Sequence, residues 1–210
     1  MYENTRIDVQ KFINAQNAKE VIFTKGTTES MNMIIWGFMK NYLKKDDEVL
    51  ITKTEHASNV LPWFALEKEI GIKVKYIPLD HYELTLENVK NSINSKTKVI
   101  SLAWITNTIG DVRPIKEIGK IAHENNILMV VDGAQSVPHI KTDVIDSDVD
   151  FLSFSAHKML GPTGVGILYG KEKYLEQMLP LNYGGGMNSF FESDKSLAYK
   201  ELPERLEAGT

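Results

Sequence analysis

The sequence predicts an α/β fold, with a mainly parallel sheet and helices on both of its faces. Short apolar runs alternate with helix-like stretches from Val21 to about Leu179, and this alternation is typical of sheets built from strand–helix–strand units. Polar residues follow most of the apolar runs directly, as expected where the strands of such a sheet end. A chain of 210 residues is also long enough to bury a sizeable core around the sheet.

The predicted strands are short runs rich in Val, Ile, Leu and Phe, over residues 21–24, 48–52, 73–77, 99–105, 127–131, 149–154 and 165–169. The predicted helices have apolar residues at helical spacing, over residues 2–18, 29–43, 60–70, 85–91, 115–124 and 171–179. Gly71 is placed to end the helix before it, since glycine commonly closes a helix. Three successive glycines after Tyr183 predict a loop of high backbone freedom.

These elements divide the chain into three segments. Residues 1–20 form an N-terminal helical segment, residues 21–182 form one α/β domain, and residues 183–210 begin with the glycine-rich loop. The chain opens directly into helix-like sequence and stops at LEAGT without a closing helix. We therefore expect both ends to be cut from a longer protein.

Composition excludes several functional classes. The chain has no cysteine, so it contains no disulfide, no thiolate metal site and no cysteine nucleophile. Its net charge of -4 argues against a nucleic-acid surface, and it has no unbroken apolar stretch of about 18 residues that would predict a membrane span. No Gly-x-Gly-x-x-Gly motif follows a strand, so no dinucleotide site is predicted. We expect a cytoplasmic protein without a metal, a nucleic-acid partner or a membrane attachment.

The stretch FLSFSAHKMLGPTGVG places Lys158 in a tightly turning loop after a buried strand. A lysine that is partly desolvated holds its proton less tightly, and its free amine can form a Schiff base with an aldehyde. Ser155 and His157, which are close to the lysine in sequence, offer a hydroxyl group and an imidazole to an anion. Taken alone, a lysine after a strand is more often a solvated surface residue.

Other strand ends carry polar residues with two open interpretations each. Thr27 and Thr28 follow Gly26 at a strand-to-helix junction, where a threonine either caps the helix or helps its free N–H groups to bind phosphate. His56 follows the next strand and either stacks on a planar ligand or serves the loop. Asn107 follows a third strand and either bonds to a ligand or serves a turn.

Asp132 directly follows the apolar run over residues 127–131, and Gln135 lies close behind it. A carboxylate is costly to bury without a cation, so Asp132 is either a helix cap or the counter-ion of a ligand cation. Because the carboxyl ends of parallel strands meet at one edge of a sheet, we expect the polar strand ends to form one crevice. Its members are Thr28, His56, Asn107, Asp132, Gln135 and residues 155–158.

Together these residue types match the groups of pyridoxal phosphate (PLP). This cofactor has an aldehyde for the lysine, a phosphate for the hydroxyl and backbone donors, a ring cation for the carboxylate and a flat face for stacking. Purely structural interpretations, each reasonable alone, become unlikely jointly when six sites at successive strand ends each carry the required type. The sequence therefore predicts a PLP-binding crevice.

Motifs along nearly the whole chain resemble the cysteine desulfurases of the class V aminotransferase group, which are PLP-dependent enzymes of fold type I. The resemblance is greatest to the SUF type, which serves iron–sulfur cluster assembly. The motifs, in chain order, are TKGTTESMN, TEHASNVLPW, TNTIGDVRPI, VDGAQSVPH, FSAHKMLGPTGVGILYG and the terminal LEAGT. The fourth and fifth of these are the most specific.

The resemblance implies a role for each candidate residue. Lys158 would hold the cofactor aldehyde as a Schiff base and later move protons, and Asp132 would pair with the ring nitrogen. His56 would stack on the ring, and Gln135 would bind the phenolic oxygen. The resemblance further implies a phosphate site with Thr27, Thr28, Ser155 and His157, a substrate-carboxylate contact from Asn107, and a contact from Thr210 to the phosphate of the neighbouring subunit in a homodimer.

The resemblance also implies parts that this chain lacks. Family members are much longer, and their small domain carries a cysteine that attacks the substrate sulfur and an arginine that clamps the substrate carboxylate. We therefore expect residues 21–182 to be the PLP-binding large domain and residues 183–210 to lead into a missing small domain. Ala156 stands where the family commonly has glycine, a change that we expect to be tolerated.

The implied reaction removes sulfur from L-cysteine. The missing thiolate would take the sulfur, leaving alanine and an enzyme persulfide whose sulfur passes to a scaffold protein. Because the thiolate is missing, we expect this chain alone to bind PLP without turnover. Other class V enzymes share the lysine and the aspartate, so an aminotransferase, an epimerase, a kynureninase-like lyase or a selenocysteine lyase is the alternative. A non-catalytic remnant that acts through protein contacts is a third hypothesis.

Overall fold

A computed structural model describes residues 2–209 of the chain. The strands of its central sheet are β1 (Val21–Thr24), β2 (Glu48–Ile51), β3 (Lys73–Tyr76), β4 (Thr97–Ala103), β5 (Leu128–Asp132), β6 (Phe151–Ser155) and β7 (Gly166–Gly170). They form a seven-stranded sheet in the order β1-β7-β6-β5-β4-β2-β3. A separate hairpin pairs β8 (Asn188–Phe191) with β9 (Leu197–Tyr199).

Helices cover both faces of the central sheet. They are α1 (Tyr2–Phe12), α2 (Thr27–Asn32), α3 (Lys40–Tyr42), α4 (Leu61–Ile70), α5 (Leu86–Ser92), α6 (Ile115–Glu124) and α7 (Glu172–Leu175). A π-helical segment, Met33–Met39, joins α2 to α3 in one continuous helical run. Within residues 2–209, no helix is long and apolar enough to cross a membrane.

Alternate residues of each strand point to opposite faces of the sheet. In β5, Met129 and Val131 pack on the face covered by α6, whereas Leu128 and Val130 pack on the face covered by α4 and the π-helical segment. The same alternation places the side chain of Asp132, the last residue of β5, on the α4 face. Burial of both faces is the reason that interior strands such as β5 read as nearly continuous apolar runs.

The prediction of a mainly parallel sheet with helices on both faces is confirmed. The pairs β2–β3, β2–β4, β4–β5 and β5–β6 are parallel. In contrast, β7 is antiparallel to both of its neighbours, β1 and β6. A parallel connection requires a crossover of about a dozen residues or more, usually a helix, and the short loop between β6 and β7 is too tight for one. The chain therefore reverses direction after β6.

The helix predicted over residues 29–43 begins earlier, at Thr27, and Gly26 is its N-cap. The prediction that Thr27 or Thr28 caps this helix is therefore wrong. Gly26 has a φ of 152°, a conformation that side chains with a Cβ rarely adopt. Its backbone also lies so close to β7 that a Cβ added at Gly166 would lie 2.3 Å from the Gly26 Cα. This turn requires glycine, which moves the cap one residue towards the N-terminus.

Three other elements differ from the sequence prediction. The first helix ends at Phe12 rather than at residue 18, because the chain turns at Asn14, which has a φ of 55°. The helix predicted over 171–179 is shorter, since α7 covers Glu172–Leu175. The β8–β9 hairpin is absent from the prediction, because strands of four and three residues are too short to give a clear pattern.

A cluster of charged side chains lies at the end of the sheet where β5 and β6 begin. His123 contacts two carboxylates: its Nδ1 is 2.9 Å from Asp148 Oδ2, and its Nε2 is 2.9 Å from Asp150 Oδ2. Lys171 Nζ donates to Asp150 Oδ1 at 2.8 Å. Hydrogen bonding to Asp150 raises the pKa of His123. Burial opposes the charge on Asp150, but the bonds from His123 and Lys171 outweigh it and lower the pKa of Asp150.

This cluster predicts a pH dependence of stability. A histidine whose pKa is raised on folding stabilises the protein fully below its unfolded pKa of about 6.5, and this contribution is lost as the pH rises through the raised value. Both aspartates stay ionised across that window. We expect the free energy of unfolding in urea to decrease between about pH 6.5 and the alkaline range. His123→Gln should flatten the profile there, and an unchanged slope in this variant would contradict the assignment.

Candidate functional site

One pocket of about 220 Å³ lies at the carboxyl ends of β4, β5 and β6, beside the start of α2. Every described residue that the sequence analysis selected lines it: Thr27, Thr28, His56, Asn107, Asp132, Gln135, Ser155, His157 and Lys158. The topology explains this convergence, because β4, β5 and β6 are parallel neighbours that end at the same edge of the sheet. The remaining candidate, Thr210, lies outside the described residues.

Lys158 lies in a 3-10 turn, Ala156–Met159, directly after β6. Leu160, which has a φ of 66°, closes this turn. The lysine is partly buried and lines the pocket. Among the residues that the structure describes, none forms a hydrogen bond or an ion pair with its amine. The end of this side chain is therefore free to contact a ligand that enters the pocket.

Asp132 ends β5 and is 4% exposed. Its Oδ1 accepts a hydrogen bond from Ala134 N at 2.9 Å, whereas no group in residues 2–209 bonds to Oδ2. Burial raises the pKa of Asp132 and the nearby charge of Glu55 adds to this effect, while the Ala134 N–H and Lys158 oppose it. A buried carboxylate with a free oxygen suits a ligand that brings its own cation.

The start of α2 is fixed to the end of β6. Thr27 N donates to Ser155 Oγ at 2.8 Å, and the two hydroxyl oxygens are 2.7 Å apart. The backbone N–H groups of the first helical turn have no acceptor within the helix. Thr28, which belongs to this turn, lines the pocket. Hydroxyl groups and free N–H groups at one helix start are the donors that an anion requires.

A chain of hydrogen bonds orients His56. Thr28 Oγ1 lies 2.9 Å from Ser58 Oγ, which in turn lies 2.9 Å from His56 Nδ1. Ser58 N also donates to His56 Nδ1 at 3.2 Å. Because a backbone N–H can only donate, Nδ1 is an acceptor and the ring proton lies on Nε2. These bonds therefore hold the imidazole at the pocket that it lines.

Two amide side chains also line the pocket. Gln135 Nε2 donates to Asn107 Oδ1 at 2.6 Å. This bond leaves the Nδ2 group of Asn107 and the second N–H of Gln135 free to donate to a ligand. His157 lies in the same turn as Lys158, is exposed, and lines the mouth of the pocket.

Sequence reasoning missed several residues that support the site. Ser58 lines the pocket and connects Thr28 to His56, and its place two residues after a strand-end histidine was the available signal. Glu55 and Arg113 form a buried ion pair behind the pocket wall. They are 58 residues apart in sequence, so no local pattern connects them.

A larger groove of about 770 Å³ is lined mainly by apolar side chains of α1, β1 and β7, including Val9, Phe12, Phe23 and Ile167. A charged cofactor would find few polar partners there. The smaller pocket instead combines an anion site at the start of α2, a carboxylate with a free oxygen and an unpaired amine. We therefore assign the chemistry to the smaller pocket.

Comparison with known proteins identifies the family of this chain. The aminotransferase class-V family model matches residues 1–210. A Halalkalibacterium halodurans protein named "Probable cysteine desulfurase" is 42% identical over 210 residues, which cover 100% of this chain and 52% of that protein. A Staphylococcus epidermidis protein of the same name is 44% identical over 100% of this chain and 51% of its own length.

Solved structures give the same result. The cysteine desulfurase CsdA from Escherichia coli superposes with a TM-score of 0.96 at 35% identity, over 100% of this chain and 52% of that chain. A cysteine desulfurase from Thermococcus onnurineus gives 0.94 at 36% identity, with the same coverage. The chain spans about half the length of the curated relatives that it matches. Since the family model covers it from end to end, the chain belongs to the aminotransferase class-V family.

Proposed function

We propose that this chain is the PLP-binding portion of a cysteine desulfurase. One observation carries the proposal: a single pocket is lined by Lys158, Asp132, His56 and the hydroxyl groups at the start of α2. The names of the relatives and of the similar solved structures support the choice of reaction.

The residues present fit the cofactor group by group. An engineered cavity of about 150 Å³ holds a benzene ring, so the pocket of about 220 Å³ has room for a pyridine ring. The free oxygen of Asp132 suits a ring N–H, and the unpaired amine of Lys158 suits an aldehyde. The donors at the start of α2 suit a phosphate.

When bound, PLP would supply an aldehyde and a protonated ring that takes up electrons from the substrate α-carbon. Asp132 would hold the proton on the ring nitrogen, and Lys158 would hold the aldehyde and carry the α-proton. His56 would support one face of the ring. The second amide N–H of Gln135 would donate to the phenolic oxygen, and Asn107 Nδ2 would donate to the substrate carboxylate.

The phosphate site would combine hydroxyl, imidazole and backbone donors. Thr28 and His157 offer side-chain donors at the pocket wall. Ser155 contributes its hydroxyl group, and Thr27 fixes the distance between α2 and β6. The partial positive charge at a helix N-terminus would add to these bonds.

The complete reaction requires a thiol that this chain does not have, since it contains no cysteine. We propose L-cysteine as the substrate of the whole protein and a persulfide on a cysteine outside these residues as its product. This chain alone would bind PLP but release no sulfur.

Borohydride reduction tests the proposal. The purified chain, incubated with PLP and reduced, should carry a pyridoxyl group on Lys158, as located by peptide mass spectrometry. We expect labelling at Lys158 because its amine lines the pocket and forms no hydrogen bond or ion pair with the described residues, so it is free to react with the cofactor aldehyde. Absence of the group from Lys158 would overturn the proposal.

A second measurement separates binding from turnover. With PLP, L-cysteine and a reductant, the chain alone should release no sulfide. Sulfide release that depends on PLP would show that a cysteine outside this chain is not required. It would contradict the proposal that this chain only binds the cofactor.

The remaining expectations are also proposals. We propose that residues 21–182 form the cofactor-binding domain. We also propose that the protein is a cytoplasmic homodimer in which Thr210 approaches the phosphate of the neighbouring subunit. Its sulfur would pass to a scaffold protein for iron–sulfur cluster assembly. Exposed apolar side chains support self-association, and they include Phe12 and Phe191. Sedimentation analysis over a range of concentrations would test the dimer.

A further inference from the structure

A buried ion pair lies directly behind the wall of the pocket. The side chains of Glu55 and Arg113 are both 0% exposed and form a salt bridge through Glu55 Oε1 and Arg113 Nη1. Glu55 immediately precedes His56, and Arg113 follows the loop that carries Asn107. The pair therefore joins the two loops that supply the histidine and the asparagine.

Glu55 is bonded through both of its carboxylate oxygens. Its Oε1 accepts from Thr52 Oγ1 at 2.7 Å as well as from Arg113. Its Oε2 accepts from the backbone N–H of Ala103 at 2.7 Å and from Asn59 Nδ2 at 2.9 Å. Since Ala103 ends β4 and lines the pocket, this carboxylate fixes the loop of His56 to the end of the neighbouring strand.

Arg113 bonds to four acceptors through its two terminal nitrogens, while its Nε lies 3.5 Å from Asp111 Oδ2 and forms no hydrogen bond with the described residues. Its Nη2 donates to Thr52 Oγ1 and to Thr54 Oγ1, each at 2.7 Å, and its Nη1 also lies 3.3 Å from Ala103 O. The planar guanidinium can hold all these acceptors because its donors form a rigid fork. A lysine would keep the charge but could not reproduce this geometry.

Arg113 also fixes the base of the Asn107 loop. Its backbone N–H donates to Trp104 O at 2.9 Å, and Ile105 pairs with Val112 in an isolated bridge. Inside the loop, Thr106 N donates to Asp111 O at 3.0 Å. Movement of Arg113 would therefore move the loop that presents Asn107 to Gln135.

Stability alone gives little reason for such a pair, because a well-packed apolar pair at a buried position is often as stable as an ion pair or more so. Geometry gives a better reason, since the pair connects two loops and the end of β4 with directional bonds. We propose that Glu55 and Arg113 form a positioning pair that holds the His56 loop and the Asn107 loop in the geometry required to bind the cofactor and substrate. The inference rests on the proposed function for its ligand, but the loop geometry can be tested without any ligand.

The test compares Glu55→Gln and Arg113→Lys with Asp150→Asn. Asp150 is also a buried carboxylate in an ion pair, but it lies at the other end of the sheet, so it controls for general loss of stability. The first readout is the NMR signal of the His56 ring C–H groups in cofactor-free protein. The second is the dissociation constant for PLP, and circular dichroism reports folding.

We expect both site variants to shift or broaden the His56 signals and to weaken PLP binding by at least about fivefold, the lower end of typical coupling between linked sites. The Arg113→Lys result shows whether the fork geometry is needed in addition to the charge. Asp150→Asn should lower the melting temperature without changing His56 or the PLP dissociation constant. Unchanged His56 signals and PLP affinity in folded Glu55→Gln and Arg113→Lys would overturn the inference.

A double variant keeps the inference testable if the single variants do not fold. Glu55→Leu with Arg113→Met removes both charges together, so neither charge is left buried without its partner, and circular dichroism checks that this variant folds. It should still lose the His56 geometry, and wild-type His56 signals in this variant would overturn the inference. If the wild-type chain does not bind PLP, the proposed function fails, whereas the His56 signals of the cofactor-free variants still decide the positioning role.

Discussion

Replacing Lys158 with alanine should abolish covalent attachment of PLP to this chain. The amine has no partner among the described residues, and no other lysine lines the pocket. We therefore expect borohydride reduction to leave Lys158→Ala without a pyridoxyl group at the site. Because the covalent bond is lost, the apparent affinity for PLP should fall by at least about tenfold, which corresponds to about 1.4 kcal/mol. Some binding should remain, since the anion site and Asp132 can still bind the cofactor.

The same variant should fold as well as the wild type. Since the removed side chain makes no hydrogen bond within residues 2–209, its loss should change the free energy of unfolding by no more than about 0.5 kcal/mol. Lys53→Ala is the matched control, because Lys53 is an exposed lysine two residues before Glu55. The control should keep full labelling of Lys158. Labelling of another lysine in Lys158→Ala would mean that the pocket does not select its amine.

The strand ends of the fold were predictable because burial on both faces leaves a simple signal in the sequence. The interior strands β4, β5 and β6 read as apolar runs, and the polar residue after each of these runs marks the edge where ligands bind. The edge strand β3, KVKY, is largely exposed and gives a weaker signal. The reversal at β7 was also within reach, because the loop between β6 and β7 is too short for a crossover helix. The N-cap at Gly26 could not be predicted from the sequence, because its conformation depends on the close approach of Gly166.

The supporting contacts of the site required the structure. Lys158 and Asp132 could be selected because a lysine or a carboxylate after an apolar run is conspicuous at each position by itself. In contrast, Glu55 and Arg113 look like ordinary polar residues in two unrelated loops. Their importance comes from the ion pair that they form in the folded protein, although they are 58 residues apart in sequence. Sequence patterns thus identify groups that contact a ligand more readily than groups that hold those contacts in place.

Replacing Asp132 with asparagine should weaken PLP binding while it stabilises the cofactor-free protein. Asparagine can still accept the hydrogen bond from Ala134 N, but it carries no charge to hold a proton on the ring nitrogen. Loss of a hydrogen bond between charged groups costs about 1.5–3 kcal/mol, which corresponds to roughly 10- to 100-fold in the dissociation constant. Absorbance of the bound cofactor should also change, because its ring loses the proton that the carboxylate holds.

The stabilisation follows from the sign of the pKa shift. Burial raises the pKa of Asp132 in the folded protein, so the unfolded chain ionises more readily. The resulting cost to folding is absent below the unfolded pKa of about 3.9, grows as the pH rises through the raised value, and is complete above it. At neutral pH, Asp132→Asn should therefore increase the free energy of unfolding of the cofactor-free chain by about 1 kcal/mol, within the range of single stabilising substitutions.

Urea unfolding of both proteins without PLP, at neutral pH and below the unfolded pKa, measures this difference. We expect the stability difference to disappear at the acidic pH, where both side chains are uncharged. Asp146→Asn, which alters an exposed aspartate paired with Lys116, is the control and should give little change at either pH. A cofactor-free Asp132→Asn protein that is less stable than the wild type at neutral pH would show that the chain itself neutralises this carboxylate. In that case Asp132 would not be poised for a ring cation, and its role as the partner of the cofactor would have to be abandoned.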